Sequence, residues 1–300
     1  MKKLTVISGK GGTGKTTFAA NLAFLADNVV MADCDVDAPN MHLLMAPEII
    51  ESESYRGAKL AVKNKRLCID CGKCREICNF NAIDADNEIK EFKCEGCGLC
   101  VVLCPENALK LAKRKTGEIF YSNSLSGPMV HARLKIGAEN SGKLVSRVKD
   151  EAENWAEKEE HDLLVIDGSP GVGCPVIASL GGADGALIVT EPSKSGISDM
   201  ERIIEVVKHF SIPAYMVINK YDINIELTHY IADYCEDKNI PLWGKVPFDE
   251  SVVKAMEKGE LIVEYAPESR AAKSLKEIWK LINNAFLKDH SSQSLSQNKA

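Results

Sequence analysis

Residues 9–16 read Gly9-Lys10-Gly11-Gly12-Thr13-Gly14-Lys15-Thr16, and no other stretch of the chain restricts its fold as strongly. Leu4-Thr5-Val6-Ile7-Ser8 before it is a short apolar, β-prone run, and Phe18, Ala19, Leu22, Ala23 and Leu25 after it recur at helical spacing. The run fits G-x-x-x-x-G-K-[ST] in the strand–loop–helix setting that motif requires. Such a loop wraps backbone N–H groups around phosphate at the positive end of a helix. Lys15 is then placed to reach β- and γ-phosphates, and the Thr16 hydroxyl to ligate Mg²⁺. Gly9, Lys10, Gly11, Gly12, Thr13, Gly14 and Thr17 complete the expected phosphate site. A glycine-rich turn without a ligand would not need all of these residues in register.

Later segments repeat the texture of a buried strand. Val29-Val30-Met31-Ala32 ends at Asp33-Cys34-Asp35, and Leu163-Leu164-Val165-Ile166 ends at Asp167. Gly185 to Val189 and Ala214 to Ile218 follow, the second ending at Asn219. Continuous apolar runs alternating with helical patterns such as Met200 to His209 predict a doubly wound, mostly parallel α/β sheet. The expected divisions are one domain from 1–60 and 116–288, an inserted small α+β domain at 61–115, and a disordered Ser/Gln/Asn-rich tail at 289–300. A hairpin and a long polar helix, Lys143 to Glu160, are expected where the α/β pattern resumes. Leu275, Ile278, Trp279, Ile282 and Phe286 form one face of a last helix, read as closing the sheet in preference to a membrane anchor.

Lys10, directly after the first glycine, makes the phosphate loop more specific. G-K-G-G-x-G-K-T resembles the deviant Walker A motif of the MinD, ParA, Mrp and nitrogenase iron protein superfamily of ATPases. The resemblance spans most of the chain outside the insertion. It implies ATP and Mg²⁺ as ligands and an ATP-dependent homodimer in which Lys10 crosses to the partner's nucleotide. Asp33-Cys34-Asp35 resembles switch I, continued by Asp37-Ala38-Pro39-Asn40. Asp35 there positions the attacking water and senses Mg²⁺, so Lys10, Lys15 and Asp35 form the implied catalytic set. Asp167-Gly168-Ser169-Pro170-Gly171 resembles Walker B with switch II, placing Asp167 in the Mg²⁺ shell. Asn219 resembles the asparagine that reads adenine. Any one of these aspartates alone could be an ordinary strand-end cap; their order on successive strand ends argues otherwise.

Eight of the eleven cysteines fall between Cys68 and Cys104. With no signal peptide before them, they predict metal binding in a reducing cytoplasm, not a disulfide framework. Cys68-x₂-Cys71-x₂-Cys74-x₃-Cys78 recurs 26 residues later as Cys94-x₂-Cys97-x₂-Cys100-x₃-Cys104-Pro105, and Asn81-Ala82-Ile83 recurs as Asn107-Ala108-Leu109. This is the run of two-cluster bacterial ferredoxins, in which the fourth cysteine serves the other cluster. One [4Fe–4S] cluster is therefore assigned to Cys68, Cys71, Cys74 and Cys104, the other to Cys94, Cys97, Cys100 and Cys78. Asn79 stands where the run usually has proline, which touches local geometry and not ligation. A zinc ribbon would use Cys71, Cys74, Cys94 and Cys97 but leave four equally faithful cysteines without a purpose. Cys174 sits seven residues after Asp167, at an offset that resembles a cluster ligand of the nitrogenase iron protein. A small buried residue at a helix start explains it equally well.

A formal charge of −6 with mixed carriers gives no reason to expect nucleic acid or an anionic membrane as partner. No apolar stretch is long enough to span a bilayer. Three readings follow: ATP-gated electron transfer to a redox or metallocluster-protein partner, assembly or delivery of metal clusters, and a positioning ATPase with structural clusters. The absence of a C-x-x-C outside the repeat weakens simple delivery. Because the insertion follows switch I, a short path from nucleotide to cysteines is expected.

Overall fold

The computed structural model describes residues 1–135, 138 and 141–288; the expected tail at 289–300 lies outside them. The chain begins with β1 (Lys2–Ile7), α1 (Lys15–Leu25), β2 (Val29–Asp33) and α2 (His42–Met45). It then runs through β3 (Glu48–Tyr55) and β4 (Ala58–Lys63), two one-turn helices, α3 (Lys73–Glu76) and α4 (Leu99–Val102), and β5 (Leu109–Arg114). β6 (Gly117–Ser124) and β7 (Gly127–Leu134) form the expected hairpin, followed by α5 (Ser141–Lys158), β8 (Leu163–Asp167) and α6 (Cys174–Leu180). The last part comprises β9 (Gly185–Thr190), α7 (Lys194–His209), β10 (Ala214–Asn219), α8 (Ile225–Asp237) and β11 (Leu242–Val246), then α9 (Glu250–Lys258), α10 (Ile262–Tyr265) and α11 (Arg270–Ile282).

Nine strands form one sheet in the order β11-β10-β9-β1-β8-β2-β7-β6-β3. The pairings from β11 to β7 are parallel, and β6 and β3 extend the sheet antiparallel. Side chains alternate between the two faces, so helices are needed on both. Leu4, Met31 and Val165 pack with α1 and α11 on one side. On the other, Ile7 and Ile188 meet α6, α7 and α8, and Val30 and Ile166 meet α5. α11 buries Leu275, Ile278 and Ile282, with Phe286 just beyond it against the same core, so this helix does close the sheet. Among the described residues no helix is long and apolar enough to cross a membrane.

The insertion differs from expectation in how it is attached. β3 and β6 pair antiparallel from Glu48↔Asn123 to Tyr55↔Gly117, and β4 and β5 pair antiparallel from Ala58↔Arg114 to Lys63↔Leu109. The two ladders follow one another along the same two chain segments, interrupted only at 56–57 and 115–116. The cysteine-bearing segment, 58–114, is therefore the far end of a ribbon that starts as the outer edge of the main sheet. β3, eight residues and roughly 25 Å of chain, intervenes between switch I and that segment, so the path along the chain is longer than its sequence order suggested.

The path through space is short. Leu134 ends β7, which lies parallel to β2, so the root of the ribbon stands at the same sheet edge as Asp33. The Leu134 N–H donates to the Val36 carbonyl at 3.3 Å, and Lys135 N–H to the Thr116 carbonyl at 2.8 Å. Thr116 N–H in turn donates to Tyr55 O at 2.8 Å, while its hydroxyl accepts from Gly57 N–H at 3.0 Å. A line of backbone hydrogen bonds thus runs from the segment after Asp35 to the hinge of the ribbon.

Candidate nucleotide site and cysteine module

Four chain segments meet at the C-terminal edge of the sheet. The phosphate loop joins β1 to α1, with Gly14 in the left-handed region at φ 90° and the Asn219 amide 2.4 Å from where a Cβ would stand. Any side chain there would carry backbone strain and a clash, which is why glycine occupies the position. Asn219 Nδ2 donates to Thr13 O at 2.8 Å, so the residue expected to read a base also braces the loop. The Thr13 hydroxyl is buried and has no hydrogen-bond partner among the described residues. Such an orphan donor at a phosphate cradle fits an anionic oxygen as its missing partner.

Lys15 is buried, and its ammonium is paired with Asp167; Thr16 Oγ1 donates to Asp167 Oδ2 at 2.7 Å. The residues expected to hold phosphate and Mg²⁺ therefore hold one another. Asp33 and Asp167 are register neighbours on β2 and β8, both fully buried. Burial, followed by the charge of Asp167, pushes the Asp33 carboxyl well above the usual range. Burial likewise raises Asp35, opposed by Lys15. Asp33 accepts N–H bonds from Asp35 at 3.1 Å and Met41 at 3.3 Å, tying both ends of the switch I loop. Ser169 Oγ donates to Cys34 O at 2.7 Å and links the loops that follow β8 and β2.

Lys10 is turned inward. Its ammonium pairs with Glu191 at 2.7 Å and donates to Ser195 Oγ at 2.9 Å and Ser193 Oγ at 3.3 Å. Glu191 also holds Lys220 at 3.2 Å, and Lys220 reaches the Gly12 carbonyl at 3.4 Å. Sequence reading missed Glu191, because nothing local marks a glutamate at the β9–α7 turn as the partner of a lysine 181 positions earlier. A cavity of about 700 Å³ opens over the loop, within the usual size range of small-molecule sites. Thr13 to Thr17, Asp35 and Asn219 line it, as do Pro247, Phe248 and Val252, which the sequence alone did not single out.

The eight clustered cysteines are sorted by the fold. Cys68, Cys71, Cys74 and Cys104 line one small cavity; Cys78, Cys94, Cys97 and Cys100 line another. Each set takes three cysteines from one repeat and one from the other. Backbone N–H groups point at sulfur: Ala82 at Cys78 (3.4 Å), Ala108 at Cys104 (3.2 Å) and Ala61 at Cys94 (3.5 Å). Burial and then the neighbouring thiolates raise Cys100, so this group resists ionising without added positive charge. Among the described residues no three His, Cys, Asp or Glu side chains close around a point as one metal ion would require. A single tetrahedral zinc would bring its sulfurs to about 3.8 Å of one another. Cys174 is exposed at the start of α6, so the expectation of a small buried residue there does not hold.

The glycine-rich loop between β1 and α1 and the mostly parallel sheet define a P-loop nucleotide-binding protein. The chain belongs to the CobQ/CobB/MinD/ParA nucleotide-binding family, which it matches over residues 4–262. An uncharacterised protein of Methanocaldococcus jannaschii is 35% identical over 92% of this chain and 95% of its own length. A second protein of that organism, described as ATP-binding, is 28% identical over 92% of this chain and 85% of its own. In fold, the septum site-determining protein MinD of Pyrococcus horikoshii, solved with Mg-ADP, aligns with a TM-score of 0.60 at 18% identity, covering 95% of this chain and 96% of that one.

Proposed function

We propose that this chain is an ATP-hydrolysing switch whose ATP-bound form pairs two copies, and whose ribbon-borne module holds two [4Fe–4S] clusters for ATP-gated electron transfer to a protein partner. Membership of the MinD/ParA group supports the ATPase and the nucleotide-dependent pairing. The observation that carries the rest is the sorting of eight cysteines into two cavities, four to each. Those sets are the crossed ones that a two-cluster ferredoxin run requires. A cubane spreads its thiolates over separate irons, which suits thiols lining a cavity better than thiols converging on one ion. Bound there, the clusters supply one-electron redox capacity, and the chain's own residues supply the ligands and the peptide N–H donors to sulfur.

On the nucleotide side, Lys15 and Thr16, now bonded to Asp167, would turn to phosphate and Mg²⁺ when ATP is bound. Lys15 then neutralises phosphate, Thr16 and Asp167 hold the metal shell, and Asp35 orients the water. Lys10 leaves Glu191 to reach the partner's nucleotide. The structural likeness to MinD favours one further reading, a positioning ATPase in which the clusters only stabilise the module. Iron and acid-labile sulfide in anaerobically purified protein test the proposal: about eight of each per chain are expected. Stoichiometric zinc with negligible iron would remove the electron-transfer reading and leave the nucleotide switch.

A further inference from the structure

The two cysteine cavities come from one repeated sequence, yet their walls differ. Around Cys78, Cys94, Cys97 and Cys100 the wall is mainly Ile77, Phe80, Ile83, Ile89 and Leu99, with Glu95 as the charged residue. Around Cys68, Cys71, Cys74 and Cys104 it carries Lys63, Lys73, Asp70, Glu106 and the amide of Asn87. The four charges balance, and Lys63 is already paired with Glu88 at 3.3 Å. Peptide N–H donors to sulfur occur on both sides, so the backbone does not set the two apart. Asn87 does. It is 7% exposed, and its Oδ1 has no hydrogen-bond partner among the described residues.

Its left-handed backbone, φ 56°, explains an asparagine in this turn but not a buried amide with an unmet oxygen. The turn is firmly held. Asn87 N–H donates to Asp84 O at 3.0 Å, and Asp84 Oδ1 accepts from Asp86 and Glu88 N–H at 3.1 and 2.9 Å. Arg75 donates to the Ala85 carbonyl at 2.7 Å, fastening the turn to the first repeat. The position 26 residues onward is Lys113, paired with Lys59 on the ribbon and absent from the second cavity's wall. An amide turned by half a rotation presents NH₂ where it had oxygen, and the cavity that Asn87 lines is the one bounded by Cys68, Cys71, Cys74 and Cys104.

We propose that Asn87 donates a hydrogen bond to sulfur of the group held by Cys68, Cys71, Cys74 and Cys104, raising the reduction potential of that cluster and not of the other. The inference rests on the two-cluster reading above. Hydrogen bonds to sulfur favour the reduced, more negative state, and ligand-supporting groups of this kind tune such centres. The test is an anaerobic potentiometric titration of the full chain with a low-potential chemical reductant, followed by electron paramagnetic resonance. Wild type, Asn87→Gly and Asn87→Asp are compared. Glycine keeps the left-handed backbone and removes the amide; aspartate keeps the shape and replaces the donor by a carboxylate. The expected result in Asn87→Gly is one potential lowered by about a tenfold change in redox equilibrium, ~59 mV for one electron, with the other unchanged. Asn87→Asp should lower the same potential further, and it carries the test alone if the glycine variant loads less iron. Iron-loaded variants with both potentials unchanged, or both moved together, would overturn the assignment. Wild-type protein without iron would instead overturn the cluster reading, and the role of Asn87 with it.

Discussion

The two sites of this molecule are held together in opposite ways. At the nucleotide site the chain satisfies itself: Lys15 neutralises Asp167, Thr16 bonds to it, and Asp33 holds switch I by two N–H bonds. In the cysteine module the contacts to sulfur are peptide N–H donors, at Cys78, Cys94 and Cys104, in place of a buried ion pair. Its own buried apolar residues are Ala61, Ala82, Ile83, Ala108 and Leu109, while Cys74 and Cys100 gather other thiols around them. A folded site that closes on itself must be opened by its ligand. A site that cannot close depends on its ligand to fold at all.

That contrast is broken most severely by taking metal away. Chelation, or Cys71→Ser with Cys97→Ser, should make 64–107 readily cleavable by protease, because so few apolar side chains hold it. The α/β body should stay resistant and keep its nucleotide affinity. Equal resistance of both regions after iron removal would show that the module needs no ligand.

The next effect concerns turnover. Lys15→Ala should lower ATP hydrolysis by about 10²–10³-fold or more, as expected when a charge-stabilising donor is lost. Asp35→Ala should bind ATP, fail to turn it over and accumulate as a dimer by sedimentation. Normal hydrolysis by Asp35→Ala would show that the water is oriented elsewhere.

Much of this was legible in the residues. The phosphate loop announces itself because glycines, lysine and threonine must stand at fixed spacing, and the crossed cysteine sets follow from a faithful repeat. The attachment of the module was not legible. Glu48 to Tyr55 reads Glu-Ile-Ile-Glu-Ser-Glu-Ser-Tyr, without apolar alternation and with nearly every residue exposed, so it carries no burial signal to mark an edge strand. Glu191 and Asp33 escaped for another reason. Their roles depend on neighbours brought together by sheet order, and a lone glutamate or a strand-end aspartate looks the same in any loop. Lys10 shows the limit of resemblance: its motif says which nucleotide it should reach, not what restrains it beforehand.

Glu191→Gln sharpens that last point. Loss of a partly exposed ion pair is worth about 0.2–1 kcal/mol, so the ATP concentration for half-maximal dimerisation should fall by roughly 1.4- to fivefold. An unchanged or higher value would mean that Glu191 does not hold Lys10 back.

A different effect, on stability and its pH dependence, separates Asp33 from its acidic neighbours. Its raised carboxyl stabilises the fold most below the ordinary carboxylate range, and that contribution is lost as pH rises from there through about 8. Asp33→Asn keeps an oxygen for only one of the Asp35 and Met41 N–H groups, which bond Oδ1 and Oδ2 respectively, so the stability of the variant relative to wild type should be higher at pH 8 than at pH 4 by about 1–3 kcal/mol. Denaturant melts at the two pH values measure the difference; a gain larger at pH 4 would reverse the assignment.

The claim that joins the two regions is that nucleotide state reaches the cysteines through Val36, Leu134, Lys135 and Thr116. It is tested most directly by titrating the cluster potentials with no nucleotide, with ADP and with a non-hydrolysable ATP analogue. A coupled molecule should show at least one potential shifted by about 59 mV, a tenfold change, with ATP affinity altered by the same factor on reduction. Potentials and affinities that stay the same across all three states would contradict coupling and leave the module as a passive appendage of the switch.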